Sequence, residues 1–380
     1  MVYPSAMHTR FAHSLGVMQV ASRFFDAICR RSMQVLTSEF GMSREHLPRY
    51  RQIVRIAALT HDLGHGPFSH AAEEVLPLRE GTTERFTHED YTAAIIEQEL
   101  APVINEHPIA RNAGITIADV IGIFRDTRSG PNLVLKGVVT GQMDADRIDY
   151  LLRDSYHAGV SYGRYDLDRV LATVLLCVDP DDGTVQIGIS DDGVHAVEGL
   201  LIARYMMFTQ LYFHKTRAIY DYHLVQCLRE LLADHSGVFP PPTPDSIADF
   251  LAWHDWRLLG AISSGQGGKH GRILFERRHF RLVYETSEIP DQQDLERVAE
   301  IESRLSTLDC VRLPAEKSWY RAGPSEILVL PGESRHQKGP VPLSRFSEVV
   351  TRLPSVAQQR LYVPPERRGE AEQIIDKMGK

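Results

Sequence analysis

The residues best placed by type and spacing to do chemistry lie in Ala57-Ala58-Leu59-Thr60-His61-Asp62-Leu63-Gly64-His65-Gly66-Pro67-Phe68-Ser69-His70. The run before them, Ile53, Val54, Ile56, Ala57, Ala58 and Leu59, is apolar around most of a helical circumference, which predicts a buried helix. It ends in a histidine and an aspartate. Burying an ionised carboxylate costs several kcal/mol unless a cation pairs with it, and the negative end of the helix dipole raises that cost. A bound metal ion removes both objections. Gly64 breaks the helix and Pro67 suits the first turn of the next, a second helix carrying Ser69, His70 and Glu73. His65 is then left on a tight connection facing whatever His61 and Asp62 hold.

Other polar groups must be brought to this place by other elements. From Thr9 the chain reads as a helix with Phe11, Leu15 and Met18 as its apolar stripe and Arg10 and His13 three apart on another face. His13 is either a core histidine or a further metal ligand. Arg10 is either a solvated charge or a phosphate clamp, its planar fork fitting phosphate oxygens two at a time. Thr87 can N-cap a helix running through Ile95 and Leu100, with His88 in its first turn near the positive end of the dipole, where a phosphate is favoured over a second cation. Within 141–156, Ile148, Leu151 and Leu152 form a core-facing strip while Asp146, Tyr150 and Asp154 align at i, i+4, i+8. That placement suits a metal ligand followed by sugar-binding groups along one groove. The stretch Tyr205 to Leu232 keeps helical apolar spacing and carries Tyr212, His214, Lys215 and Arg217, either a solvated basic face or a wall of a phosphate site.

At 380 residues with 43% hydrophobic content, the chain can bury a sizeable core. No apolar run approaches a membrane span and no signal-peptide plan opens the chain, so a cytoplasmic protein without membrane contact is expected. Cys29, Cys177, Cys227 and Cys310 show no pairing pattern and are expected to be buried thiols. A net charge of −8 argues against broad nucleic-acid coating but allows a local basic pocket.

Short apolar runs at Leu171–Val178 and Val185–Ile189 flank Asp179-Pro180-Asp181-Asp182-Gly183, a hairpin signal, and helix returns near Ala196. Repeated prolines in 237–244 predict an extended linker between a first domain, 1–236, and a second module, 245–380. That module reads as helix from Asp245, a Gly-rich loop at Gly265–Gly271, a strand at Arg281–Tyr284, helix at Gln292–Leu305, a strand at Ile327–Leu330, then helix, strand and helix. A role in oligomerisation or regulation is expected of it. Lys269, His270, Arg272, Arg277 and Arg278 read as a solvated basic strand rather than an anion site.

With His13, His61-Asp62 and Asp146 in hand, the chain resembles the HD-domain phosphohydrolase superfamily, whose pattern is H…HD…D. Residues 8–16, 61–70, Thr87-His88-Glu89 and 144–154 resemble its deoxynucleoside triphosphate triphosphohydrolase branch, which includes the vertebrate enzymes joining a sterile alpha motif to an HD domain. The resemblance covers roughly residues 1 to 235. It implies a mainly α fold: an HD helical core with a small β-hairpin, followed by a smaller α+β C-terminal module. It also implies His13, His61, Asp62 and Asp146 as ligands of a divalent metal (Mn, Fe, Mg, Ni or Co). His65 and His88 are implied as the groups that contact phosphate and protonate the leaving oxygen, Glu73 as their acidic partner, and Arg10, Arg147 and Lys215 as phosphate binders. Tyr150 and Asp154 are implied to bind the sugar. The implied reaction is attack of a metal-activated water on the α-phosphorus, giving a deoxynucleoside and inorganic triphosphate. A homodimer or homotetramer is implied as well.

In that family a strand and an early helix usually precede the Tyr-Pro segment and contain residues that line the sugar pocket; here Met1 stands just before it, so either the start is late or part of the pocket is lost, and discrimination of deoxyribose from ribose stays open. Two alternative functions stay open: hydrolysis of another nucleotide, and a nucleotide sensor or single-strand binder without turnover.

Overall fold

The computed structural model describes residues 2–125, 130–179, 183–317, 326–332 and 339–378. Thr9 opens the first helix, its side chain accepting the Ala12 backbone N–H, so that α1 runs Arg10–Arg31. The buried stripe of α1 is Val17, Val20, Ala21, Phe24 and Ile28. Phe11 and Leu15 are 70% and 41% exposed, contrary to the expected stripe. The helix turns His13 rather than Phe11 inward, because His13 lies one turn before Val17 on the face that Val17, Val20, Ala21, Phe24 and Ile28 bury.

Helices α2 (Met33–Phe40) and α3 (Leu47–Thr60) follow, and α3 packs along α1 through Ile53, Val54, Ala57 and Ala58. Beyond the Gly64 turn the expected helix is a 3-10 helix, Ser69–Val75. Phe68 and Ser69 take left-handed φ values of 59° and 62°, so the chain turns too sharply for Pro67 to start an α-helix. Thr87 caps α4 (His88–Ile95) in a full capping box with Asp90, and a π turn extends it through Leu100. Then come α5 (Ala101–Glu106), α6 (Pro108–Ala113), α7 (Ile117–Phe124), α8 (Pro131–Val139), α9 (Ala145–Ala158) and α10 (Leu167–Thr173). Asp144 caps α9 and Gly159, at φ 72°, ends it.

Strands β1 (Val174–Val178) and β2 (Val185–Ser190) pair antiparallel as expected, although Pro180, Asp181 and Asp182 of the hairpin signal lie outside the described residues. Helices α11 (Val194–Met207) and α12 (Lys215–Leu231) are not continuous: a π turn over Phe208–Tyr212 and a break at Phe213-His214 divide the stretch.

Within the segment 237–244, Phe239 and Pro240 are packed, while Pro241, Thr243 and Pro244 are exposed. Phe239 and Pro240 are buried, the Phe239 N–H donates to the Val75 carbonyl, and the Tyr91 hydroxyl donates to the Pro240 carbonyl at 2.7 Å. Phe239 shares one apolar cluster with Val75, Tyr91, Leu228 and Phe250, so residues on both sides of the prolines build one core. Next are α13 (Ile247–Leu251), α14 (Asp255–Ser263), α15 (Gly268–Glu276), β3 (Arg281–Glu285) and α16 (Gln292–Arg304). Part of the expected Gly-rich loop is therefore the first turn of α15.

The chain closes with β4 (Val311–Lys317), β5 (Leu328–Leu330), β6 (Val341–Pro342), α17 (Glu348–Arg352), β7 (Val356–Val363) and α18 (Arg368–Met378). One sheet has the order β3-β7-β4 and the other β1-β2-β5-β6, in which β5 runs parallel to β2 and ties the C-terminal part to the hairpin. The fold is mainly α with these small sheets. Cys177 and Cys227 are buried and Cys29 and Cys310 half-buried, all as free thiols. No helix among the described residues is long and apolar enough to cross a membrane.

Candidate active site

The end of α3, the first turn of α1 and the first turn of α9 bring His61, Asp62, His13 and Asp146 together. His13 Nε2 lies 3.0 Å from Asp146 Oδ1 and 3.6 Å from Asp62 Oδ2. The ring is aimed by its other nitrogen, 2.8 Å from Asp149 Oδ2, and Asp149 is gripped in turn by Arg153 at 2.7 and 2.9 Å. A carboxylate holding the far side of an imidazole is the usual support of a metal-ligating histidine.

The residues fit a divalent cation. His61 Nδ1 faces the Ala58 carbonyl at 2.8 Å, which makes it the N–H and leaves Nε2 with a lone pair. That buried Nε2 has no hydrogen-bond partner, and it faces Asp62 Oδ1 at 3.2 Å and Asp146 Oδ1 at 3.6 Å. Acceptors facing acceptors in a buried place call for a positive charge between them. The electrostatics of the group point the same way. Burial opposes a proton on His13, yet Asp146 and Asp149 outweigh it and push the ring up to about 9. Imidazole with carboxylate suits several first-row divalent ions and Mg without choosing among them.

Asp62 joins this group to a second one. Its Oδ1 lies 3.4 Å from His65 Nε2, and its other oxygen meets the Arg10 guanidinium, whose Nε also donates to Ser69 Oγ at 2.8 Å. Burial works against the Asp62 charge, but His65, His61 and Arg10 hold its carboxyl well below the usual range. On the far side of His65 stands Glu73, whose Oε1 lies 3.0 Å from His88 Nδ1, 3.0 Å from His70 Nδ1 and 3.3 Å from His65 Nδ1. The His65 and His88 rings stack at 4.1 Å. His70, 66% exposed at its side chain, opens this group to solvent.

Farther along α9, Tyr150 and Asp154 follow Asp146. The Tyr150 ring meets Tyr212 edge-on at 6.0 Å, and the Tyr212 hydroxyl donates to Asp154 Oδ2 at 2.6 Å. Asp154 Oδ1 takes His8 Nε2 at 2.7 Å, and His8 stacks on His157 at 4.3 Å. Lys215 opens α12 three residues beyond Tyr212. The Arg147 guanidinium pairs with the buried Asp144 and lines, with Arg204 and Gln142, a cavity of about 870 Å³ bordered by α8 and β2.

Sequence reasoning missed the roles of Asp149, Arg153, His70 and His8. The signal for His70 was its spacing of three from Glu73; for His8 it was proximity to Arg10 alone. Asp149 and Arg153 could be read as an i, i+4 pair, but nothing local says that His13 is their target.

Gly64 explains how the groups come so close. A Cβ built on it would lie 2.0 Å from the His88 carbonyl oxygen and 2.5 Å from the Thr92 nitrogen, both backbone atoms of α4. The Gly64 N–H also donates to Thr92 Oγ1 at 2.9 Å. Gly64→Ala therefore must push α4, and with it His88, away from His65. We expect a loss of about 1–3 kcal/mol of stability, read as a lower urea midpoint; an unchanged midpoint would contradict this contact.

The comparisons with known proteins agree with this geometry. An HD domain model matches residues 10–153, and an HD associated region model matches residues 169–301. The chain is 36% identical over 216 residues to the uncharacterized protein YwfO of Bacillus subtilis, covering 56% of this chain and 42% of YwfO. It is 29% identical over 233 residues to the deoxynucleoside triphosphate triphosphohydrolase SAMHD1 homolog of Dictyostelium discoideum, covering 60% of this chain and 41% of that protein. It thus spans less than half the length of these two relatives. A crystal structure of a hypothetical protein from Aquifex aeolicus superimposes with a TM-score of 0.75 at 28% identity, over 98% of this chain and 88% of that one. With helices α1, α3 and α9 bringing H…HD…D together and the two regions matched in order, the chain carries an HD domain over residues 10–153 followed by an HD associated region over residues 169–301.

Proposed function

We propose that the chain is a metal-dependent dNTP triphosphohydrolase, with His13, His61, Asp62 and Asp146 as the metal ligands. The observation that carries this reading is the line of polar groups along one helix. Asp146 belongs to the cation group, and Tyr150 and Asp154 follow at i+4 and i+8, roughly 12 Å along the axis, where Tyr212 and His8 complete a hydrogen-bonding end. That spacing suits a nucleotide whose α-phosphate lies at Asp146 and whose sugar lies at Asp154. The similarity to the SAMHD1 homolog supports the same substrate class.

A bound divalent cation supplies an activated water and part of the charge neutralisation at phosphate. The remaining work falls to the chain. Arg10 stands beside Asp62 with a guanidinium suited to the phosphate oxygens that gain charge as the α-phosphorus is attacked. The water oxygen becomes part of the triphosphate, the P–O5′ bond breaks, and O5′ takes a proton. His88 is the better donor of the two stacked rings: burial opposes its charge, but Glu73 more than offsets this and keeps it protonated above the ordinary histidine range. Burial instead holds His65 down at about 4.

The alkaline limb of kcat therefore reports loss of the His88 proton. Glu73→Gln removes the carboxylate that raises that pKa, so the limb should move to lower pH; a limb that stays in place would show that another group is the acid. Assembly into a dimer or tetramer belongs to the same reading and is measurable by light scattering. The basic residues of α15 and its C-terminal turn support a nucleic-acid surface poorly, since Lys269 pairs with Asp309, His270 bonds His223 and Arg278 reaches Glu366.

The test is incubation of the purified protein with Mn, Fe(II), Co or Mg and each dNTP, NTP and monophosphate, with products separated by ion-pair chromatography. Deoxynucleoside plus triphosphate supports the proposal. Release of phosphate or diphosphate overturns it in favour of another nucleotide hydrolysis, and absence of turnover with every metal overturns it in favour of a sensor.

A further inference from the structure

Tyr212 reaches Asp154 from a place where the helix is broken. After α11 the π turn over Phe208–Tyr212 ends at Phe213, and α12 starts only at Lys215. At a helix break the carbonyls just before it, here those of Tyr212 and Phe213, leave the regular helical ladder, while the Lys215 carbonyl already belongs to α12. Whatever bonds those carbonyls decides where Tyr212 points.

Three side chains donate to carbonyls between Tyr212 and Lys215, while the His214 ring accepts the Thr216 N–H at 3.2 Å. Arg217, one turn into α12, donates to the Tyr212 carbonyl at 2.7 Å. The other two come from far away in the chain: the Arg360 guanidinium donates to the Phe213 carbonyl, and the Tyr362 hydroxyl donates to the Lys215 carbonyl at 3.0 Å. Both stand on β7, the central strand of the C-terminal sheet. Residues two apart on a strand share a face, so the 360 and 362 positions match carbonyls that are likewise two residues apart. Arg360 and Tyr362 are 7% and 1% exposed. Arg360 is aimed by its own partners, Glu285 at 3.3 Å and Gln358 at 2.6 Å. A guanidinium fixed in this way cannot follow a wandering backbone, so it holds the Phe213 peptide in one place.

We propose that Arg360 and Tyr362 are positioning residues for the candidate site: the C-terminal sheet clamps the helix break and thereby holds Tyr212 against Asp154 at the sugar end. The inference rests on the functional reading above for its kinetic arm only. The clamp itself concerns the protein without substrate.

The experiment uses the full chain with Arg360→Ala, Arg360→Lys and Tyr362→Phe. Its first readout is hydrogen–deuterium exchange of peptides covering 206–216, alongside peptides of α1 and α3 and the bound-metal content. Loss of a hydrogen bond from a charged donor should raise exchange at 206–216 by about tenfold or more in Arg360→Ala. Exchange in α1 and α3 and metal content should stay at the wild-type level. Arg360→Lys should recover part of the protection, and Tyr362→Phe should give a smaller rise. In kinetics, KM for the best dNTP should rise about tenfold with kcat changed far less, as expected for lost substrate positioning.

Wild-type exchange at 206–216 in Arg360→Ala overturns the proposal, as does a rise spread evenly over α1 and α3, which would mark a purely structural role. Should Arg360→Ala fail to fold, Tyr362→Phe, which removes one hydroxyl, decides by the same readout. A wild-type protein that does not hydrolyse dNTPs overturns the functional reading while the exchange arm still decides the clamp.

Discussion

Asp62→Asn yields a protein that lacks its metal and turns over nucleotide slower by on the order of 10³-fold or more. The substitution keeps the shape of the side chain and removes only its charge. That charge is shared more widely than any other in the site: His61 at 3.2 Å, His65 at 3.4 Å, His13 at 3.6 Å and the Arg10 guanidinium all face it. Without it, the two histidines and Asp146 keep a cation less well, and Arg10 is left beside a neutral amide where it repels one. Metal analysis of purified protein and single-turnover rates at saturating metal check both halves of the expectation. Full activity with wild-type metal content would remove Asp62 from the ligand set.

His88→Ala separates the two groups of the site. The ring lies on the Glu73 side, stacked on His65, and belongs to no contact with His13 or His61 among the described residues. Metal content should stay at the wild-type level while kcat falls by about 10²–10⁴-fold, the usual worth of a positioned general acid. The loss should also remove the alkaline limb that Glu73→Gln only displaces. If His88→Ala instead releases metal, His88 is a ligand of a second ion and the acid must be sought elsewhere, with His70 the nearest group on the same carboxylate.

Much of this site is legible in the chain because its residues sit at helix ends, where local rules are strong. The apolar run into His61-Asp62, the break at Gly64, the Thr87 cap and the Asp146-Tyr150-Asp154 spacing each follow from helix geometry within a few residues. What could not be read depends on distant partners. In α1 Phe11 and Leu15 have helical spacing, but the longer run Val17, Val20, Ala21, Phe24 and Ile28 sets the buried face and carries His13 with it; what lies beyond local reading is that Asp146 and Asp149, more than a hundred residues away, meet His13 there. Pro240 looks like a linker residue from its neighbours, and is buried because Tyr91 and Val75 lie against that segment. Strand β4 went unread: Pro314 breaks its local pattern, and it is specified by pairing with β7 over Val311–Lys317. The parallel contact of β2 with β5 and the hold of β7 on the helix break are likewise long-range.

Hydrolysis to a deoxynucleoside and triphosphate requires attack at the α-phosphorus and cleavage of the P–O5′ bond. Turnover of the preferred dNTP in ¹⁸O-labelled water, with mass analysis of every product, reads this directly. Attack at the α-phosphorus puts one labelled oxygen in inorganic triphosphate and none in the deoxynucleoside. Label in phosphate or diphosphate, or in the nucleoside hydroxyl, would contradict it.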